Sequence, residues 1–179
     1  QDNQGSWPGL SIETTGVVNL TNIVSTGNGI GTSAAGVEVD NCQDSSMICA
    51  KNANVTLSGT LNQFSNNSGN GLTIFSGGLI TLNNFTAFKN TGEGLYLYND
   101  YVSSLGVTIK RTVAGVNEIM GSGSHGMRIF SDGGVWVEKL KAVDNVSTNI
   151  SIDNQTSGAP KTLTVKSVWV ENSGTFFNG

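Results

Sequence analysis

The chain carries one histidine, His125, in the run Gly121-Ser-Gly-Ser-His-Gly-Met-Arg128-Ile, a turn leading straight into a strand. Imidazole is the side chain that moves protons near neutral pH. Glycoside hydrolysis needs two carboxyls at a set separation across the scissile bond. Asp100 and Asp132 fall near one corner of the repeat described below, one repeat apart, an arrangement common in repetitive chains. No Asp-Asp pair occurs anywhere. A lyase would need several carboxylates around calcium and a base. Glu13, Asp40 and Asp153 share a column split by three aromatic repeats, and Arg128 is the basic residue on that face. No Ser-His-Asp set can be built on a single turn histidine. No Cys/His spacing fits zinc, and no phosphate-binding glycine loop or calcium nonapeptide is present. The expectation is a chain with no catalytic residue, metal or cofactor.

Other residues point to surfaces. Phe75, Tyr98 and Phe130 are expected to form one outward column, with Tyr96 beside it. Exposed stacked rings offer large apolar area at low entropy cost, to a sugar ring or to a protein face. A covering loop, 41–53 or 98–106, would satisfy them equally. Cys42 and Cys49 lie in a polar loop, and a local disulfide there fits a secreted chain. Seven Asn-x-Ser/Thr triplets begin at Asn19, Asn54, Asn66, Asn84, Asn145, Asn149 and Asn154. They permit glycosylation, although a strand-rich chain full of Asn and Thr also makes such triplets by chance.

What positions these residues is an internal repeat. Residues 71–93 and 126–148 align without a gap. Gly71, Ile74, Phe75, Ser76, Gly78, Ala87 and Asn90 meet identical residues at Gly126, Ile129, Phe130, Ser131, Gly133, Ala142 and Asn145. Each unit holds short alternating apolar pairs broken by Gly and Asn turns, the signature of strands. Such a unit cannot bury a core alone but can when stacked. First strands are expected at Leu10–Ile12, Val37–Val39, Leu72–Ile74, Leu95–Leu97, Met127–Ile129 and Ile150–Ile152. A glycine precedes five of them and Asn149 the sixth. Second strands follow at Val18–Leu20, Val55–Leu57, Ile80–Leu82, Val107–Ile109, Val135–Val137 and Leu163–Val165. Third strands hold Ile23, Leu61 with Phe64, Phe85 with Phe88, Val116 with Ile119, Leu140 with Val143, and Val168 with Val170. Thr14, Asn41, Ser76, Asn99, Ser131 and Asn154 fall at the turn after the first strand, where an inward polar ladder is expected. On the second strands the outward column reads Asn19, Thr56, Thr81, Thr108, Trp136, Thr164, a row of ordinary strand residues.

This pattern, Gly-[Leu/Met/Ile]-x-[Ile/Leu/Val]-x-[Asn/Ser/Thr], resembles the right-handed parallel β-helix of the pectin-lyase-like architecture. The resemblance covers residues 9 to about 177 and implies an all-β solenoid of about six three-strand coils. It leaves residues 1–8 as an N-terminal segment and 9–179 as one domain, with loop insertions near 29–35, 41–53 and 110–125. The segment around His125 resembles the Gly-His-Gly neighbourhood of polygalacturonases, but that family's aspartate trio is missing.

Composition narrows the function. The chain has net charge −4, 12% charged residues, 24 Gly and 2 Pro. The shortage of Lys and Arg argues against nucleic acid, and no apolar run approaches a membrane span. The start at Gln1 leads us to expect a processed or trimmed N-terminus. Trp7 near one end and Phe176 and Phe177 near the other either plug the ends or join copies head to tail. The expected function is a non-catalytic, secreted or cell-surface structural solenoid assembling into extracellular fibres. The alternative is a carbohydrate-binding or adhesive module, and behind it a polysaccharide lyase or hydrolase. The partners that follow are further copies of the chain, or a polysaccharide.

Overall fold

The computed structural model describes residues 5–29, 33–42, 53–101, 105–154, 161–172 and 176–178. Its elements are all strands: β1 (Leu10–Glu13), β2 (Val18–Thr21), β3 (Val24–Thr26), β4 (Val37–Asp40), β5 (Val55–Ser58), β6 (Asn62–Ser65), β7 (Leu72–Phe75), β8 (Ile80–Asn83), β9 (Phe85–Phe88), β10 (Leu95–Asn99), β11 (Val107–Lys110), β12 (Asn117–Met120), β13 (Met127–Ser131), β14 (Val135–Val143), β15 (Ile150–Asp153), β16 (Leu163–Glu171) and β17 (Phe176–Asn178). Short alternating runs rich in Val, Ile, Leu and Thr favour strands. They pair in parallel into two long sheets. One has seven strands in the order β1-β4-β7-β10-β13-β15-β17, and the other has ten. Neighbours in the first sheet come from successive repeats, so matching residues form columns: Leu10↔Val37↔Leu72↔Leu95↔Met127↔Ile150. Among the described residues no helix is long and apolar enough to cross a membrane.

Alternation puts every second side chain inside. The core runs through both sheets, from Val37 and Val39 to Ile150 and Ile152, all fully buried. Each expected first and second strand is present. The third strands differ. Leu61 is 55% exposed and Val116 36%, while Asn62, Phe64, Asn117 and Ile119 point inward. The pairing Asn62↔Phe85, with Phe64↔Ala87, sets that register. Asparagine can occupy an apolar column because its amide replaces a missing backbone partner. Asn62 Oδ1 accepts from Ile23 N (2.9 Å) and Asn117 Oδ1 from Phe85 N (3.0 Å). In β14 and β16 the second and third strands run on as single nine-residue strands. Each bends at one left-handed residue, Lys139 (φ 52°) and Ser167 (φ 51°).

The corner after the third strand repeats even more closely. Gly27, Asn66, Lys89, Gly121, Asp144 and Asn172 all have φ between 50° and 69°. After the first five of these the next residue, Asn28, Asn67, Asn90, Ser122 or Asn145, points inward and builds a buried ladder. Asn28 donates from N and Nδ2 to Asn67 Oδ1 (3.2 and 2.8 Å), and Asn67 does the same to Asn90 Oδ1 (3.1 and 2.9 Å). Ser122 N continues the ladder to Asn145 Oδ1 (2.9 Å). The ladder explains the glycines. A Cβ on Gly71 would lie 2.6 Å from Asn90 Nδ2, and one on Gly126 2.6 Å from Asn145 Nδ2. At the sixth such position Asn149 joins the ladder instead, accepting from Asn145 Nδ2 (2.6 Å).

The ladder expected after the first strand is also present in part. Asn41, Ser76, Asn99, Ser131 and Asn154 are buried, and Thr14 is half-buried. Asn99 Nδ2 donates to Gly78 O (2.7 Å), Ser76 Oγ donates to Ala53 O (3.1 Å), and Ser131 Oγ donates to Asn99 Oδ1 (3.2 Å). Buried corners need such partners, since each orphaned polar group costs about 1–3 kcal/mol.

Candidate functional site

The seven-stranded sheet carries the aromatic column where the alternation placed it. Asp40, Phe75, Tyr98, Phe130 and Asp153 are register partners on five adjacent strands. Their neighbours two residues earlier are Glu38, Thr73, Tyr96, Arg128 and Ser151. Phe75 and Phe130 lie 6.0 and 5.8 Å from Tyr98, centroid to centroid. Tyr96 meets them edge-on at 5.9 and 6.1 Å. All four rings are half-buried. Tyr101 joins them, edge-on to Tyr98 at 5.3 Å. Burial, together with Asp40 and the other phenols, pushes the Tyr101 hydroxyl up to about 12. Loop 98–106 therefore adds a ring to the cluster, while most of 41–53 and residues 102–104 fall outside the described residues.

Beside the rings runs a groove of ≈ 520 Å³, lined among others by Glu38, Asn70, Thr73, Phe75, Glu93 and Tyr96. Glu93 is 7% exposed, and Arg128 Nη1 donates to its Oε1 at 3.3 Å. Its Oε2 is buried without a partner. Burial raises the Glu93 pKa, and the bond and charge of Arg128 oppose that rise. The Arg128 guanidinium also sits 4.8 Å over the Phe130 ring. One strand further, His125 occupies the position that Glu93 holds in its own repeat, because Gly71 N donates to Glu93 O and Gly94 N to His125 O. Burial and then Arg128 lower the His125 pKa, against a bond with the Thr148 backbone, so its imidazole is neutral at pH 7. His125 Nδ1 is buried and unpartnered. Three successive repeats thus contribute matching sets: Asn70, Thr73, Phe75; Glu93, Tyr96, Tyr98; His125, Arg128, Phe130.

Sequence reading missed Glu93 and Tyr101. Glu93 could have been found from its place just before Gly94, which matches His125 before Gly126. Tyr101 carries no repeat signal. Of the residues weighed for catalysis, Asp100 and Asp132 follow the register pair Asn99↔Ser131 and so lie on adjacent repeats at one corner, as the sequence placed them. Asp132 is buried and Asp100 is half-buried. Among the described residues no three His, Cys, Asp or Glu side chains gather as a metal ion would need.

The remaining candidate sites vary. Cys42 is disulfide-bonded, and Cys49, the other cysteine, lies outside the described residues. Of the glycosylation triplets, Asn19 and Asn66 are exposed and Asn54 is half-buried. Asn84, Asn145, Asn149 and Asn154 are buried, and their amides serve the fold: Asn84 donates to Gly59 O (2.6 Å) and Asn149 to Glu171 O (3.1 Å). A glycan cannot reach them in the folded chain. Trp7 is 76% exposed. Strand β17 pairs with β15 through Phe176 and Phe177, whose side chains lie outside the description. On the ten-stranded sheet Trp136 stands between Lys110 and Lys166, with each Nζ 5.4 and 4.5 Å from its ring.

No protein-family model, curated protein or solved structure matches this chain.

Proposed function

We propose that the chain is a secreted, non-catalytic right-handed parallel β-helix whose aromatic face binds carbohydrate. The carrying observation is the cluster Phe75, Tyr96, Tyr98, Phe130, half-exposed and in ring contact across three adjacent strands. Sugar rings stack on such faces, and the polar groups of the adjoining groove suit their hydroxyls. The repeat pattern and the parallel sheets support the β-helix. The disulfide at Cys42 supports an oxidising, extracellular setting. A non-catalytic role is supported by the burial of Asp132, 3% exposed, which holds that carboxyl away from a polymeric substrate. The test is a glycan-binding screen with the Phe75→Ala/Phe130→Ala pair alongside. Binding is expected to fall at least tenfold in the pair; equal binding by both proteins overturns the reading.

A second reading, head-to-tail assembly, is supported by the last repeat. Val165 and Val170 continue inward columns of the ten-stranded sheet yet remain 38% and 39% exposed. A further repeat or a second copy would cover them. Electron microscopy over a concentration series separates this from an isolated binding module: fibres support it, and short rods at every concentration remove it.

A further inference from the structure

We propose that the aromatic face selects cationic glycans, polymers of amino sugars bearing free ammonium groups, and rejects uronic-acid polymers. This rests on the carbohydrate-binding reading and adds the sign of the ligand. The two sheets divide the charge. The strands of the seven-stranded sheet carry Glu13, Glu38, Asp40 and Asp153 against one base, Arg128. Those of the ten-stranded sheet carry Lys110, Lys139, Lys141 and Lys166 against Glu118, Glu138 and Glu171. The aromatic face is therefore the negative side of a chain whose net charge is already −4.

The single base on the strands of that sheet is bonded within the chain. Arg128 spends Nη1 on Glu93 and lies over Phe130, so part of the charge it would offer an incoming carboxylate is already offset. Glu93 in turn keeps one oxygen without a partner, in a side chain that lines the groove. Glu38 lines the same groove, and Phe75 and Tyr96 form its aromatic wall. An ammonium seated there would meet carboxylates and ring faces together, the two features that hold a cation. A uronate would meet the like charge of Glu38 and Glu93 there. Electrostatic complementarity of this kind decides which partner is rejected as much as which is bound.

The experiment titrates the intact chain by calorimetry with hexamers of glucosamine, N-acetylglucosamine and galacturonic acid at two salt concentrations. Glucosamine is expected to bind about tenfold more tightly than its acetylated counterpart, an advantage that shrinks with salt, while galacturonate does not bind. Glu38→Gln should reduce the glucosamine preference about three- to fivefold. Asp40→Asn, which keeps an oxygen for Cys42 N (2.8 Å), should reduce it in the same direction. Tight galacturonate binding, or a preference unmoved in both variants, overturns the proposal. Equal binding of the neutral and cationic hexamers overturns the charge selection but leaves the carbohydrate reading intact. Binding of none of the three defeats the carbohydrate reading itself. Binding of a lysine-rich peptide in their place would reassign the face to a basic protein.

Discussion

Asn90 shows how one side chain can hold two repeats together. Its Oδ1 accepts from Asn67 N and Nδ2, and its Nδ2 donates to Phe64 O at 3.0 Å. Asn90→Ala would leave those buried groups unpaired. The expected loss is about 2–4 kcal/mol, read from chemical denaturation. Gly71→Ala should cost about 1–3 kcal/mol for a different reason, since the new methyl would press on Asn90 and on Gly94 O. The titrating pair beside the groove gives opposite pH signatures. His125 has a lowered pKa, so its contribution is full above 6.5 and drains as the pH falls through that value. Glu93 has a raised pKa, so its contribution is full below 4.5 and is lost as the pH rises through its folded value. Denaturation midpoints measured across pH should therefore fall less steeply below 6.5 in His125→Gln. In Glu93→Gln they should gain on the parent as the pH rises from 4.5. Parallel profiles for parent and variants would contradict both assignments.

At the scale of the element, the third strand is where periodicity misleads. Leu61 and Val116 look like core residues because each is the apolar residue nearest before Phe64 or Ile119, with only polar residues between. The structure turns them out and puts Asn62 and Asn117 in. Hydrophobicity scales cannot anticipate an inward asparagine, because its value lies in backbone groups contributed by a different repeat. Two substitutions separate the registers. Leu61→Ser should change stability by less than about 0.5 kcal/mol, whereas Phe64→Ala, at a fully buried site, should cost about 3–5 kcal/mol. Comparable losses in both would restore the apolar register. The first strands present no such conflict. Their inward residues are apolar in every repeat and their outward residues vary, so one alternation sets the pairing.

At the scale of the molecule, the two sheets are not equivalent surfaces. One bears rings and acids, the other Thr, Lys and the half-buried Trp136 between Lys110 and Lys166, and the last repeat leaves Trp169 62% exposed beside Val170. If copies join through that repeat, Val170→Asp should abolish concentration-dependent growth of the sedimentation coefficient while leaving the β-sheet spectrum unchanged. Growth that persists in the variant would place any joint elsewhere. The sequence by itself determined the repeat, the all-β class, the first and second strands and the aromatic column. These follow from alternation and from local turn chemistry, which depend on near neighbours along the chain. Only the tertiary structure decided the third-strand register, the Asn28–Asn67–Asn90 ladder, the burial of the asparagine in four glycosylation triplets and the meeting of Glu93 with Arg128. Each of these depends on a hydrogen bond or a close approach between residues of different repeats, and spacing along one repeat carries no record of it.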